Sequence, residues 1–296
     1  MHPLSIDGAG EDRNDVGFMD AVVLSIVAAI LVGANKVFFR QAALRNVSSE
    51  HLLVIFYFGG VACAVLYYPL PAVFDREPLE LSLLVANGWI WTLISAMDTR
   101  IYKSIEASVV ALLDSIQLLL LTAVGLILFG ESLPLLKLLG VLCVAGAVGF
   151  STRSRPQGDA KVIAVKLLSV CLAGAALSID KFLASRMPIG DLVVLGYAIP
   201  GLFLVLYTRP NMRGLAASAF KLGRYTFVLS VCSFGGFACT IHAFATGSLT
   251  VTSALIQTSI VVTLLVEFVV GDVRGARLRP AICAGACTVG AIAVVL

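Results

Sequence analysis

Apolar residues along this 296-residue chain gather into ten blocks of membrane length, divided by short polar loops. The blocks fall at about 18–40, 51–73, 81–103, 107–129, 133–152, 160–186, 190–208, 224–245, 248–270 and 277–296. A helix of roughly 20 apolar residues crosses about 30 Å of hydrocarbon, so each block predicts one transmembrane helix. The breaks carry turn chemistry: Pro78 after Asp75, Arg76 and Glu77, then Gly130 to Pro134, and the polar runs 152–159, 208–214 and 271–277.

The pattern repeats. The segment Ala107 to Ser132 ends in Gly130-Glu131, and Leu249 to Val273 ends in Gly271-Asp272. Each is followed by an apolar stretch with matching small residues, Ala145, Val148 and Gly149 in one and Ala286, Val289 and Gly290 in the other. The expected organisation is a disordered polar tail (1–17), a first five-helix repeat (18–152), an inter-repeat loop (153–159) and a second five-helix repeat (160–296). An odd number of spans per half makes the halves cross the membrane in opposite senses. The expected fold class is therefore an all-α membrane protein of ten transmembrane helices arranged as two inverted repeats, with a site at their interface.

Composition agrees and narrows the classes. The chain is 59% hydrophobic and 13% charged, with a mean hydropathy of +0.99. Soluble domains sit nearer half apolar and a quarter charged. The net charge of +3 comes without a basic, aromatic surface, so no nucleic-acid partner is expected. The seven cysteines lie within apolar stretches and no Cys/His spacing resembles a zinc site, so neither metal nor cofactor is expected. No HExxH, GxSxG, P-loop or Gly-rich dinucleotide turn occurs, which speaks against an enzyme or a nucleotide-driven pump. Small residues at four-residue spacing (Ala145/Gly149, Ala281/Gly285, Ala286/Gly290) suit close helix packing, within the bundle or in a homodimer.

Charge inside the spans marks the candidate chemistry, because each ionised group there costs at least about 2.5–3.5 kcal/mol. Spans one and six carry a matched pair: Asn35-Lys36 and Asp180-Lys181 each set an amide or carboxylate before a lysine. Inversion would put them at opposite mouths of one pathway, whereas snorkelling lysines would explain them without a site. Asp98 in span three can meet Tyr102 at i+4. Asp114 and Gln117 share a face in span four, and Gln257 is the counterpart of Gln117 in span nine. Asp98 and Asp114 are the candidates for proton coupling, Glu267 sits near a helix end, and His242 reads as a packed residue. The tryptophans of span three, Trp89 and Trp91, suit an interfacial belt or an aromatic wall.

On the run Ala107 to Leu113, Ser115-Ile116-Gln117, Gly130 to Leu133 and the following Gly140, Gly146 and Gly149, the chain resembles the drug/metabolite transporter superfamily, with two EamA-type domains over residues 18–296. It departs from that pattern at Leu118, where a proline is usual, at Asp114, where a small residue is usual, and in a second helix without arginine. The resemblance implies a carrier of a small metabolite, often outward, through a central cavity lined by both halves. The functional expectation is a secondary-active exporter of a small organic metabolite or drug in the plasma or inner membrane, with the lipid bilayer as its other partner. A lipid-headgroup translocator or channel-like facilitator is the alternative. Lysines suit an anionic or zwitterionic solute and the acids suit a cation, so substrate stays open.

Fourteen Lys and Arg fall on the side of loops 1–2, 3–4, 5–6, 7–8 and 9–10, against four on the other. The positive-inside rule then puts that side in the cytoplasm and both termini outside, opposite to the family habit. A cysteine introduced in the 208–224 loop of a cysteine-free variant is accordingly expected to resist a membrane-impermeant maleimide on intact cells and to react after permeabilisation.

Overall fold

The computed structural model describes residues 8–45, 47–69, 71, 76–131, 134–135, 138–143, 146, 160–270 and 278–295. Among them the chain is all helical, with no strand. Twelve helices are defined: α1 (Gly8–Leu44), α2 (Ser49–Tyr67), α3 (Pro78–Ser104), α4 (Ala107–Asp114), α5 (Gln117–Leu128), α6 (Ala160–Ala184), α7 (Ile189–Thr208), α8 (Met212–Leu222), α9 (Arg224–Thr246), α10 (Leu249–Gln257), α11 (Ser259–Val270) and α12 (Leu278–Val295). Eight spans among the described residues are long and apolar enough to cross a bilayer, α4 with α5 and α10 with α11 each making one. The protein is a multi-pass membrane protein. The predicted inter-repeat loop, most of span five and the small-residue positions Ala145 and Gly149 lie outside the described residues. The first helix is drawn from Gly8, ahead of the predicted span.

Local chemistry sets the helix ends. Ser48 Oγ accepts from His51 N at the start of α2, and Ser248 Oγ accepts from Val251 N at the start of α10, each taking one of the orphan N–H groups. Pro78 opens α3, where its missing N–H is no loss. After α5 the chain turns through Gly130 at φ +63°, a backbone that favours glycine.

Two spans are interrupted near their middles. Between α4 and α5 the amides of Ser115 and Ile116 bond to Leu112 O and Leu113 O, and those of Leu118 and Leu119 to Ser115 O and Ile116 O. Between α10 and α11 Thr258 N bonds to Leu255 O and Val261 N to Thr258 O. All six are i to i−3 bonds, the tighter winding that tends to mark a hinge or strained stretch within a long helix. The two interrupted spans lie side by side and antiparallel, α4 against α11 and α5 against α10. Around them α1 packs on α9, α3 on α6, and α2 on α7. The α3–α6 contact is also antiparallel, since Asn87 meets Asp180 while Asp98 meets Ser169.

Helix α1 crosses the second interruption closely. A Cβ on Gly33 would come within 2.6 Å of Ser259 O and 2.7 Å of Val262 Cβ, and Thr263 Oγ1 donates to Gly33 O at 3.3 Å. Gly33→Ala is expected to destabilise the fold by about 1–3 kcal/mol through overpacking, seen as a lower melting temperature of the purified protein in detergent.

Candidate functional site

A cavity of about 290 Å³ opens at the crossing of the two interrupted spans. From α1 it is lined by Val32, Asn35, Lys36 and Phe39, which recur at i, i+3, i+4 and i+7 and so share one face. From α6 it takes Lys166, Ser169, Ala173 and Leu177, again a single helical face. Asp98 and Tyr102 come from α3, Asp114 and Gln117 from either side of the first interruption, and Gln257 and Ser259 from either side of the second.

The charges form one connected chain. Lys36 Nζ lies 2.8 Å from Asp114 Oδ2, and Lys166 Nζ lies 2.8 Å from Asp114 Oδ1 and 2.9 Å from Asp98 Oδ1. Ser169 Oγ donates to Asp98 Oδ1 at 2.8 Å. Lys166 is 2% exposed, so its ammonium has two carboxylates in place of water. Two lysines and two aspartates leave the chain neutral, which is what permits four charges in a membrane interior.

The wall also offers unused polar atoms. Asn35 Oδ1, Gln117 Nε2 and Ser253 Oγ line the cavity, are buried and have no protein partner. Aromatic rings fill the remaining wall: Tyr57 donates to Trp91 O at 3.2 Å and meets Ser95 Oγ at 2.6 Å, while the Tyr197 hydroxyl meets Ser233 Oγ at 2.7 Å. The cavity thus pairs a charged patch with an apolar, aromatic surface, a combination suited to a small organic solute. Among the described residues no group of three or more His, Cys, Asp or Glu could hold a metal.

Six of the eight residues singled out from the sequence, Asn35, Lys36, Asp98, Asp114, Gln117 and Gln257, meet at this cavity. Asp180 and Lys181 do not line it. Lys181 Nζ bonds to the backbone carbonyls of Phe244 and Gly247 (2.6 Å to the latter) at the C-terminal end of α9, a natural seat for a cation. The matched Asn35-Lys36 and Asp180-Lys181 pairs therefore part company, since only the first lines the cavity.

Lys166 is the residue that sequence reasoning missed. Its place near the start of span six groups it with the surface cations, whereas the structure takes it inside. The usable signal was positional: Lys166 lies six residues into α6 and Asp98 six residues from the end of antiparallel α3, so both sit about 9 Å along their axes from the same face. Glu267, near a helix end in the sequence, is 2% exposed. His242 meets the Tyr68 hydroxyl at 3.0 Å, as a packed residue would. Trp91 lines the cavity, while Trp89 is half exposed against Phe203.

No family model matches the chain, and no curated protein does. A solved chain described only as a crystal structure of protein aligns with a TM-score of 0.68 at 15% identity, over 93% of this chain and 96% of that one. At that identity the likeness speaks for the fold alone.

Removing the shared cation leaves the partly buried Asp98 without a lysine and Asp114 with Lys36 alone. Lys166→Ala is expected to cost about 3–5 kcal/mol, far more than Lys161→Ala at the exposed start of the same helix, as read by thermal unfolding in detergent.

Proposed function

We propose that the protein is a secondary-active carrier of a small organic solute, built as two inverted five-helix repeats that share one central site. The symmetry of packing supports the repeat. Exchanging the first five spans with the second five turns the α1–α9 contact into α6–α3 and the α2–α9 contact into α7–α3, both of which occur. Spans four and nine, equivalent under that exchange, run antiparallel and are interrupted at equivalent places, as a two-fold axis in the membrane plane requires.

The observation that carries the functional reading is the neutral chain Lys36–Asp114–Lys166–Asp98 opening onto an aromatic cavity. A solute with one charge would leave an uncompensated charge wherever it displaced a member. A zwitterion with an apolar body can exchange partners at both signs and keep the site neutral. Export across the plasma or inner membrane follows from the resemblance to drug/metabolite transporters, and the energy would come from a gradient.

The test is counterflow in liposomes holding the purified full chain, against matched panels of zwitterionic, anionic and cationic radiolabelled metabolites. Saturable counterflow confined to zwitterions is expected, and Lys36→Ala should lower it at least about tenfold, the effect of losing roughly 1.4 kcal/mol of binding. Flipping of labelled phospholipid without counterflow of any soluble solute would replace the carrier with a lipid translocator.

A further inference from the structure

Asp180 is fully enclosed, 0% exposed, and its oxygens accept only from neutral groups: Oδ1 from Asn87 Nδ2 at 2.7 Å and Oδ2 from the Trp91 indole Nε1 at 3.2 Å. Among the described residues it forms no ion pair, whereas Asp98, Asp114 and Asp191 each meet a lysine or arginine. A carboxylate held from water without a cation is among the costliest groups a membrane interior can carry. A proton removes that charge.

The surroundings can serve both forms. Asn87 is itself buried, and its Oδ1 has no protein partner. Turning the amide through half a rotation presents that acceptor to Asp180, where a carboxyl O–H can donate to it; turned back, the NH2 serves the carboxylate. Trp91 connects the pair to the cavity, since the side chain that donates to Asp180 also lines the cavity wall.

We propose that Asp180 is a reversible proton-binding site that opens onto the cavity past Trp91. The carboxylate takes a proton from hydronium in cavity water, leaving a neutral carboxyl and water, and returns it to water by the reverse step. The site is distinct from Asp98 and Asp114, which are committed to lysines.

Helix α6 packs against α3, α4, α5, α7 and α9, and none of them brings a cation to Asp180. On α3, Glu80 and Asp98 lie about 10 and 16 Å along the axis from Asn87, Asp98 being held by Lys166, with Arg100 and Lys103 beyond at the exposed end. Asp114 of α4 is held by two lysines and α5 has no ionisable side chain. On α7, Asp191 pairs with Arg76 and Tyr197 with Ser233; on α9, His242 meets Tyr68, while Arg224 and Tyr225 stand at its far end. On α6 itself Lys181 turns to backbone carbonyls.

The experiment uses the two tryptophans. Trp89→Phe leaves Trp91 as the sole indole of the full chain, and its emission is followed in nanodiscs between about pH 5 and 9. A reversible emission shift is expected, lost on adding Asp180→Asn and kept on adding Asp98→Asn. Flat emission in the Trp89→Phe protein, or a shift that survives Asp180→Asn, overturns the site. Infrared difference spectra of the unsubstituted chain over the same range read the carboxyl C=O band directly, so the outcome does not depend on Asp180→Asn folding; absence of that band also overturns it. No solute enters these measurements. Failure of counterflow therefore leaves the proton site standing, and a flat titration beside saturable counterflow removes the site alone. Only the further step, that this proton moves with a solute, rests on the carrier reading.

Discussion

Charge in hydrocarbon must be answered by charge, and Lys166 is where this protein answers it. Its ammonium joins Asp98 of α3 to Asp114 of α4, and Asp114 in turn reaches Lys36 of α1. Four helices are held in register by that chain, three from the first half of the sequence and one from the second. An apolar quartet of equal volume would hold the helices as well or better, since buried ion pairs repay their desolvation poorly. Stability alone therefore gives no reason for their presence at a cavity wall; the proposed carrier reading supplies one.

The same economy governs backbone groups. A helix that departs from i to i−4 bonding inside a membrane leaves amides and carbonyls to be satisfied elsewhere, and such departures are tolerated where they line a cavity. Both interruptions fall there, with Asp114 and Gln117 around one and Gln257 and Ser259 around the other. The second is also crossed by a close contact from Gly33 of α1. The interruptions thus sit where helices from the earlier and later parts of the sequence meet.

Much of the architecture is legible in the sequence because membrane spans announce themselves by length and apolarity. The eight described spans fall within the predicted blocks to within a few residues, apart from extended ends at α1 and α3. The interruptions are not legible in that way. Neither contains proline or glycine, and the only hint is polarity at Ser115, Gln117, Thr258 and Ser259. The site divides along similar lines. Asp98, Asp114, Gln117 and Gln257 are visible because polar residues in mid-span have few other reasons to exist. Lys166 is not, because a cation near a helix start reads as a snorkelling surface group until its partner helix is known. Asp180-Lys181 shows a different limit: a local likeness to Asn35-Lys36 says nothing of which way each helix is turned, and only the first pair lines the cavity.

The arrangement separates two kinds of electrostatic work along one helix contact. At one level of the α3–α6 pair stands a balanced chain of four charges; 11 residues away, about 16 Å at 1.5 Å per residue, stands one carboxyl with neutral partners. Trp91 lies between these levels and touches both the cavity and Asp180. Under the proposed reading, a zwitterion exchanging partners with the balanced chain moves no net charge across the membrane. Any dependence of such a carrier on membrane potential would then have to arise from the proton on Asp180. Coupling would need no direct contact between proton and solute: a solute seated against the aromatic wall constrains Trp91, and Trp91 decides whether Asp180 keeps an indole donor or meets water.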